Sequence, residues 1–313
     1  MKNRFLWLLI LGMALFSGCS DDDDPDYSGN YGVDKLKLTL SGIAQANKEV
    51  ELTDDAIILK NVIAGEEKTT VPVVFDGANF SGKVTNSDRA ITVAGVIKEN
   101  VLLLDVTLKI VNDIVGTWNI YDQNITAEIK APEGTVLVFM GNEMDAAQLE
   151  MILPMLIGSF PQAYLKDVTF KDNGYLVANY DANGNAGKKD EESTWVSSPE
   201  GAVKWYVKNG QVYLLPDMAI IQGSRSEMGG SDILTSILAN GLPLNFTIAN
   251  DGLHVYVTKE QMLPFMDIAS TLVDMIEEPN YILSMAKLVI PEMKQDMQKC
   301  SVFNLGMKMM RPE

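Results

Sequence analysis

The chain has one histidine, and acid–base or nucleophilic chemistry of the usual kind would have to run through it. His254 lies in the run Leu253-His254-Val255-Tyr256-Val257. Its alternation puts His254 and Tyr256 on one face of a strand and the three aliphatic residues on the other. A Ser-His-Asp or Cys-His mechanism needs a nucleophile beside that imidazole. Gly223-Ser224-Arg225-Ser226-Glu227 ends in glutamate where a nucleophile elbow needs glycine. His254 therefore reads as a surface or barrel-lining residue. One histidine and Cys300 do not make a zinc set. Carboxylate pairs could serve glycoside hydrolysis. Yet Asp54-Asp55, Glu66-Glu67, Asp190-Glu191-Glu192 and Glu277-Glu278 sit among 42 acids and read as solvated loops or ends. No catalytic residue is assigned, and the chain is not expected to be an enzyme.

Other patterns point to binding. Asp181, Asn183, Asn185 and Glu192 fall at positions 1, 3, 5 and 12 of a calcium loop, but position 6 is Ala186 where that loop needs glycine. The flanks read as strands, and Asp, Asn and Gly also suit a long hairpin loop. Trp195, Trp205 and Tyr206 lie on neighbouring predicted strands and could form a sugar-stacking platform or pack in a core. Methionine is the clearest anomaly. Once Met1 and Met13 in the leader are set aside, the 15 that remain lie between Met140 and Met310, many in predicted helices. Flexible, polarizable methionines suit core filling and also apolar surfaces that adapt to a ligand. The candidate apolar site is Met151, Met155, Phe265, Met266, Leu272 and Met275. In Met307-Lys308-Met309-Met310, strand alternation sends neighbours to opposite faces, which works against a soft-metal site. No metal or cofactor is expected.

Cys19 carries a different chemistry. Lys2 and Arg4 open the chain, an apolar run follows from Phe5 to Phe16, and Ser17-Gly18-Cys19 closes it. The run falls short of the ~20 residues that span a bilayer. It reads as a signal peptide over residues 1–18, cut before a lipidated Cys19. The lipid would be the contact with the membrane. Cys300 is then left without a partner, so no internal disulfide is expected. Losing Lys2 and Arg4 leaves 23 basic against 42 acidic side chains, a net charge of −19. That balance argues against nucleic acid, which needs a basic face. Ser20 and Asp21 to Asp24 open an acidic linker over residues 19–30. An acidic run behind the cysteine resembles the export tag of Bacteroidales surface lipoproteins. The expected location is the outer membrane, lipid-anchored on the cell surface, with the periplasmic leaflet as alternative.

The elements that would position these residues are mainly β with helical insertions (α+β). Leu36 to Leu40, Val50 to Leu52, Ile57 to Leu59, Val71 to Phe75, Ile91 to Val96 and Val101 to Ile110 read as short strands, giving a β-sandwich or half-barrel over 31–112. A second unit over 113–313 opens with a strand from Gly116 to Ile129. A helix follows from Asn142 to Gly158, capped by Asn142 and kinked or broken at Pro154. A meander then runs through 167–171, 175–180, 193–197, 203–208 and 211–215, with Asn-Gly turns at 173–174 and 209–210. A short helix is predicted over 232–239, then a hairpin of strands 244–248 and 253–257. Thr258-Lys259-Glu260-Gln261 is a capping box for the next helix. Another starts at Tyr281 and is interrupted at Pro291, and Ser301 to Met310 could close the sheet.

From Gly116 onward this layout resembles a lipocalin or calycin-type antiparallel β-barrel. There a Gly-x-Trp, here Gly116 and Trp118, opens the first strand, and a basic residue near the last strand, Arg311 or Lys308, stacks on the tryptophan. The whole chain resembles two-domain Bacteroides lipoproteins with a lipocalin-like second domain. The resemblance implies location and fold. The expected function is binding of an apolar or amphipathic small molecule in the barrel mouth; the alternative is a surface accessory protein that docks a protein or glycan partner.

Overall fold

The computed structural model describes residues 27–158, 160–181, 194–217, 241–250, 252–264, 266 and 281–312. Cys19, Phe265, Leu272, Met275, most of the calcium-loop pattern and the helix expected at 232–239 lie outside them.

The first unit has nine strands: β1 (Gly29–Tyr31), β2 (Leu36–Leu40), β3 (Ile43–Gln45), β4 (Glu49–Leu52), β5 (Ala56–Lys60), β6 (Lys68–Asp76), β7 (Asn79–Thr85), β8 (Arg89–Lys98) and β9 (Val101–Ile110). They pair in the order β1-β4-β5-β6-β7-β8-β9-β2-β3, with β2 parallel to β9. The two ends do not pair, so the sheet is a half-barrel. β6 turns the corner: Lys68–Pro72 pair with β5 and Val73–Asp76 with β7. Gly82 lies against that corner, where a Cβ would sit 2.0 Å from the Pro72 carbonyl oxygen. Alternate residues of β6 and β9 turn inward, and Val50, Ile57, Val71, Val93, Leu102 and Val106 are wholly buried.

The second unit is a closed antiparallel barrel. Its strands are β10 (Gly116–Lys130), β13 (Leu165–Phe170), β14 (Tyr175–Tyr180), β16 (Val203–Lys208), β17 (Gln211–Pro216), β18 (Leu242–Ala249), β19 (Gly252–Thr258) and β20 (Val302–Met310). β20 pairs with both β10 and β19, and β13 pairs with both β10 and β14, so the eight strands form a ring. A short β15 (Val196–Ser197) pairs with β14. The hairpin β11 (Leu137–Phe139) and β12 (Asn142–Met144) and the helices α1 (Ala146–Ile157), α2 (Phe160–Tyr164) and α3 (Tyr281–Lys299) belong to the same unit, and residues 259–264 are helical as well. No described helix is long and apolar enough to cross a membrane.

Three local expectations are corrected. Asn142 is in β12, and the N-cap of α1 is Asp145. The Asp145 carboxylate accepts from the Gln148 amide at 2.8 Å, and Gln148 Oε1 accepts from the Asp145 amide at 2.9 Å. Met140 and Gly141, at φ of 52° and 74°, supply the tight turn that lets Asn142–Met144 pair back on Leu137–Phe139. Neither Pro154 nor Pro291 ends its helix. Each removes one backbone bond, at a cost of ~3 kcal/mol. Burial of Leu149, Leu153 and Met297 offsets that cost.

The units meet in a polar seam. Tyr175, wholly buried, donates to the Leu40 carbonyl at 3.0 Å, and Gln45 donates to the same phenol oxygen at 3.3 Å. Lys204 donates to Gln45 at 2.6 Å, and the Ile110 amide donates to the Asp172 carbonyl at 2.6 Å. Tyr206, stacked on Tyr213, lies over Gly65, where a Cβ would come within 2.5 Å of the ring.

Candidate functional site

One end of the barrel is closed by Trp118. The indole is wholly buried, and its N–H donates to the Ile114 carbonyl at 2.7 Å. The Arg311 guanidinium lies 4.5 Å from the ring centroid. It donates to the Asp113 carbonyl at 2.8 Å and the Val115 carbonyl at 3.4 Å. Gly116 makes the approach possible. Its φ is +132°, and a Cβ there would meet Arg311 Nη1 at 2.7 Å. Arg311, and not Lys308, is thus the stacking residue. Above this plug the barrel is packed with Val168, Phe170, Trp205, Val212, Leu253 and Met309.

The other end is capped by the helices and the β11–β12 hairpin. Leu149 and Leu153 of α1, Leu137 and Phe139 of the hairpin, Met297, Cys300, and Ile129 and Phe303 of the wall form one cluster. Met262, Met266 and Met293 pack on its rim. The Asp296 carboxylate, 1% exposed, accepts from the Val138 amide at 2.9 Å and from Lys299 at 3.1 Å, tying α3 to the hairpin. These methionines fill a core. Met151 and Met155 differ: they are 63% and 76% exposed, because Leu149 and Leu153 occupy the inner face of α1.

Between the ends the wall opens beside β10. β13 pairs with β10 only over Gly116–Asn119. The β10–β20 register then slips between Ile120 and Ile125. Beyond the slip α1, not a strand, flanks β10, and Glu150 accepts from the Ile129 amide at 2.8 Å. A groove of about 560 Å³ remains between α1 and β10, walled by Ala146, Ala147, Met151 and Pro154, bordered by Thr126 and Ala127 and lined also by the charged Glu150 and Lys130.

A second groove, of about 500 Å³, adjoins it on the outer face of β10, β20, β19 and β18; Thr126 and Ala127 line both. Side chains of one face converge here: Thr126 and Glu128, Asn304 and Lys308, His254 and Tyr256. Gly306 makes room for the His254 ring, since a Cβ there would sit 2.5 Å from His254 Nε2 and 2.8 Å from the Val255 carbonyl oxygen. His254 Nε2 hydrogen-bonds Thr126 Oγ1 at 2.8 Å, and its ring stacks on Tyr256 with centroids 5.2 Å apart. Burial and the nearby Lys308 ammonium push the imidazole pKa below its ordinary value, so His254 is neutral near pH 7. Lys130, at 2.5 Å, and Asn304, at 3.0 Å, hold the Glu128 carboxylate ionised.

Several sequence candidates do not assemble. Trp205 is wholly buried, edge-on to Phe170, and donates to the Lys171 carbonyl at 3.0 Å, while Tyr206 points to the opposite face, so the sugar platform does not form. Glu66 is not a solvated loop acid: it pairs with Arg89 and accepts from Thr69. The Asp181 carboxylate accepts from the Thr194 amide at 3.2 Å. Among the described residues no His, Cys, Asp and Glu cluster could hold a metal. Sequence reasoning missed Thr126, Glu128, Asn304 and Gly306; the alternation around His254 gave its face but not the strands beside it. Compared with known proteins, the chain matches no family model, no curated protein and no solved structure.

Proposed function

We propose that this protein is a non-enzymatic, lipid-anchored outer-membrane binding protein of lipocalin-like build, held on the cell surface through Cys19, that takes up an amphipathic small molecule. The closed eight-strand ring and the Gly116–Trp118–Arg311 plug support the lipocalin-like reading. The observation that carries the binding reading is the adjoining pair of grooves. One is walled by Ala146, Ala147, Met151 and Pro154, with Glu150 and Lys130 also lining it; the other holds His254, Lys308 and Glu128. An apolar chain beside α1 would leave water there, and a polar head would reach the other side of Thr126. The ligand then lies against the wall and not along the barrel axis. Ala147→Trp fills the first groove. Uptake of a fluorescent fatty acid by residues 20–313, lost in Ala147→Trp, is the expected result. A folded protein that takes up none overturns the reading.

The exposed Met151, Met155 and Leu156 of α1 favour a second reading, in which this face docks a partner protein. Fatty-acid uptake unaffected by Met151→Lys or Met155→Lys, with loss of a surface partner, would move the assignment there.

A further inference from the structure

We propose that the His254 groove is the head-group subsite of the ligand and is built for an acidic saccharide, a pyranose ring bearing one carboxylate. This rests on the binding reading above and names the polar end of the same ligand.

Charge argues for the carboxylate. Lys308 makes no ion pair among the described residues, although the chain carries a net charge of −17. It stands opposite His254 in the β19–β20 register, at one end of the groove. Its exposed ammonium is free to meet one anionic group. Glu128 at the other end is already matched by Lys130, so it adds no demand for a cation.

Hydrogen bonding argues for a polyhydroxylated ring. Glu128 uses one oxygen for Lys130 and the other for Asn304, and a carboxylate accepts about four bonds in all. Lone pairs are left for hydroxyl donors. Asn304 keeps its carbonyl oxygen and a second N–H. The Thr126 hydroxyl, pinned by His254, offers one more group. A purely apolar occupant would strand all of these, at about 1–3 kcal/mol for each one buried.

Shape argues for a flat, compact group. The His254 ring lies across Gly306, whose missing side chain lets it lie close to the sheet between the two ends. The stacked His254 and Tyr256 rings form one wall, and aromatic rings suit the C–H faces of a sugar. Neutral His254 offers no competing charge beside Lys308.

The test uses the lone histidine as the probe. Its imidazole resonances are followed by NMR in residues 20–313 titrated with sodium D-glucuronate, with D-glucose and sodium acetate as controls. The expected result is a saturable shift with glucuronate and binding about tenfold weaker for either control. Lys308→Met, at an exposed position, should weaken glucuronate about tenfold, and Glu128→Gln should weaken glucuronate and glucose alike. No saturable shift overturns the inference; so does equal response to acetate and glucuronate, or a Lys308→Met variant that binds as before. Fatty-acid uptake in the same preparation separates the two readings. Uptake without a glucuronate response sinks the saccharide subsite alone, and a glucuronate response without uptake sinks the apolar groove alone.

Discussion

Gly116→Ala is the sharpest test of how the barrel is closed. A Cβ at φ +132° would force a strained backbone, at about 1–3 kcal/mol. It would also sit 2.7 Å from Arg311 Nη1 and push the guanidinium off Trp118. Losing that exposed cation–π contact costs about 0.5–1 kcal/mol. The bonds to the Asp113 and Val115 carbonyls are solvent-exposed and add about 1 kcal/mol. The whole comes to about 2.5–5 kcal/mol. Arg311→Ala alone should cost about 1.5–2 kcal/mol, since it removes the contacts without the strain. The double variant should then cost little more than Gly116→Ala, because the contacts can be lost only once. Urea unfolding followed by tryptophan fluorescence reads this cleanly: Trp118, Trp195 and Trp205 all lie in the second unit. Additive effects, or a Gly116→Ala loss below about 0.5 kcal/mol, would refute the argument.

Tyr175→Phe removes the donor to the Leu40 carbonyl and should cost about 1–3 kcal/mol, read as a lower urea midpoint. Burial pushes the Tyr175 phenol up to about 12. The seam's contribution is therefore full below the ordinary tyrosine value of about 10 and lost as pH rises through about 12, which an alkaline unfolding series checks. His254 runs the other way: its folded pKa is depressed, so stability is full above about pH 6.5 and falls as pH drops through the folded value. Lys308→Met should raise that pKa, measured on the single imidazole by NMR titration. Asp145→Ala removes the cap of α1 and should cost about 1 kcal/mol in thermal or urea unfolding. Cys300, 2% exposed, should react with a thiol reagent only on unfolding.

Local rules carried much of the fold. Tyr175–Tyr180 and Val203–Lys208 match their predicted spans residue for residue, and Asn209 and Gly210 take the positive φ of 53° and 76° that an Asn-Gly hairpin requires. The strand expected at Ser301 to Met310 does close the sheet. β7 was not legible, because in Asn79–Thr85 only Phe80 is buried and the alternation is polar. The cap at Asp145 was hidden by a competing asparagine three residues earlier, which tertiary pairing drew into a strand. The helices run on through Pro154 and Pro291 because burial of Leu149, Leu153 and Met297 outweighs the local cost. The polar groove was least legible of all. His254 meets Thr126 across 128 residues, and the free stretch of β10 exists only because β13 leaves it after Asn119.

The double pairing of β20 sets an order of events during synthesis. Residues 302–310 must be present before β10 and β19 gain the partner that joins them. Until then the nascent chain carries two open strand edges and an uncovered apolar interior. Pairings this distant in sequence are slow to find, and the waiting species is prone to aggregation. The second unit therefore cannot complete its ring cotranslationally from its early strands alone. A holding chaperone would have its binding window between the emergence of β10 and the arrival of β20.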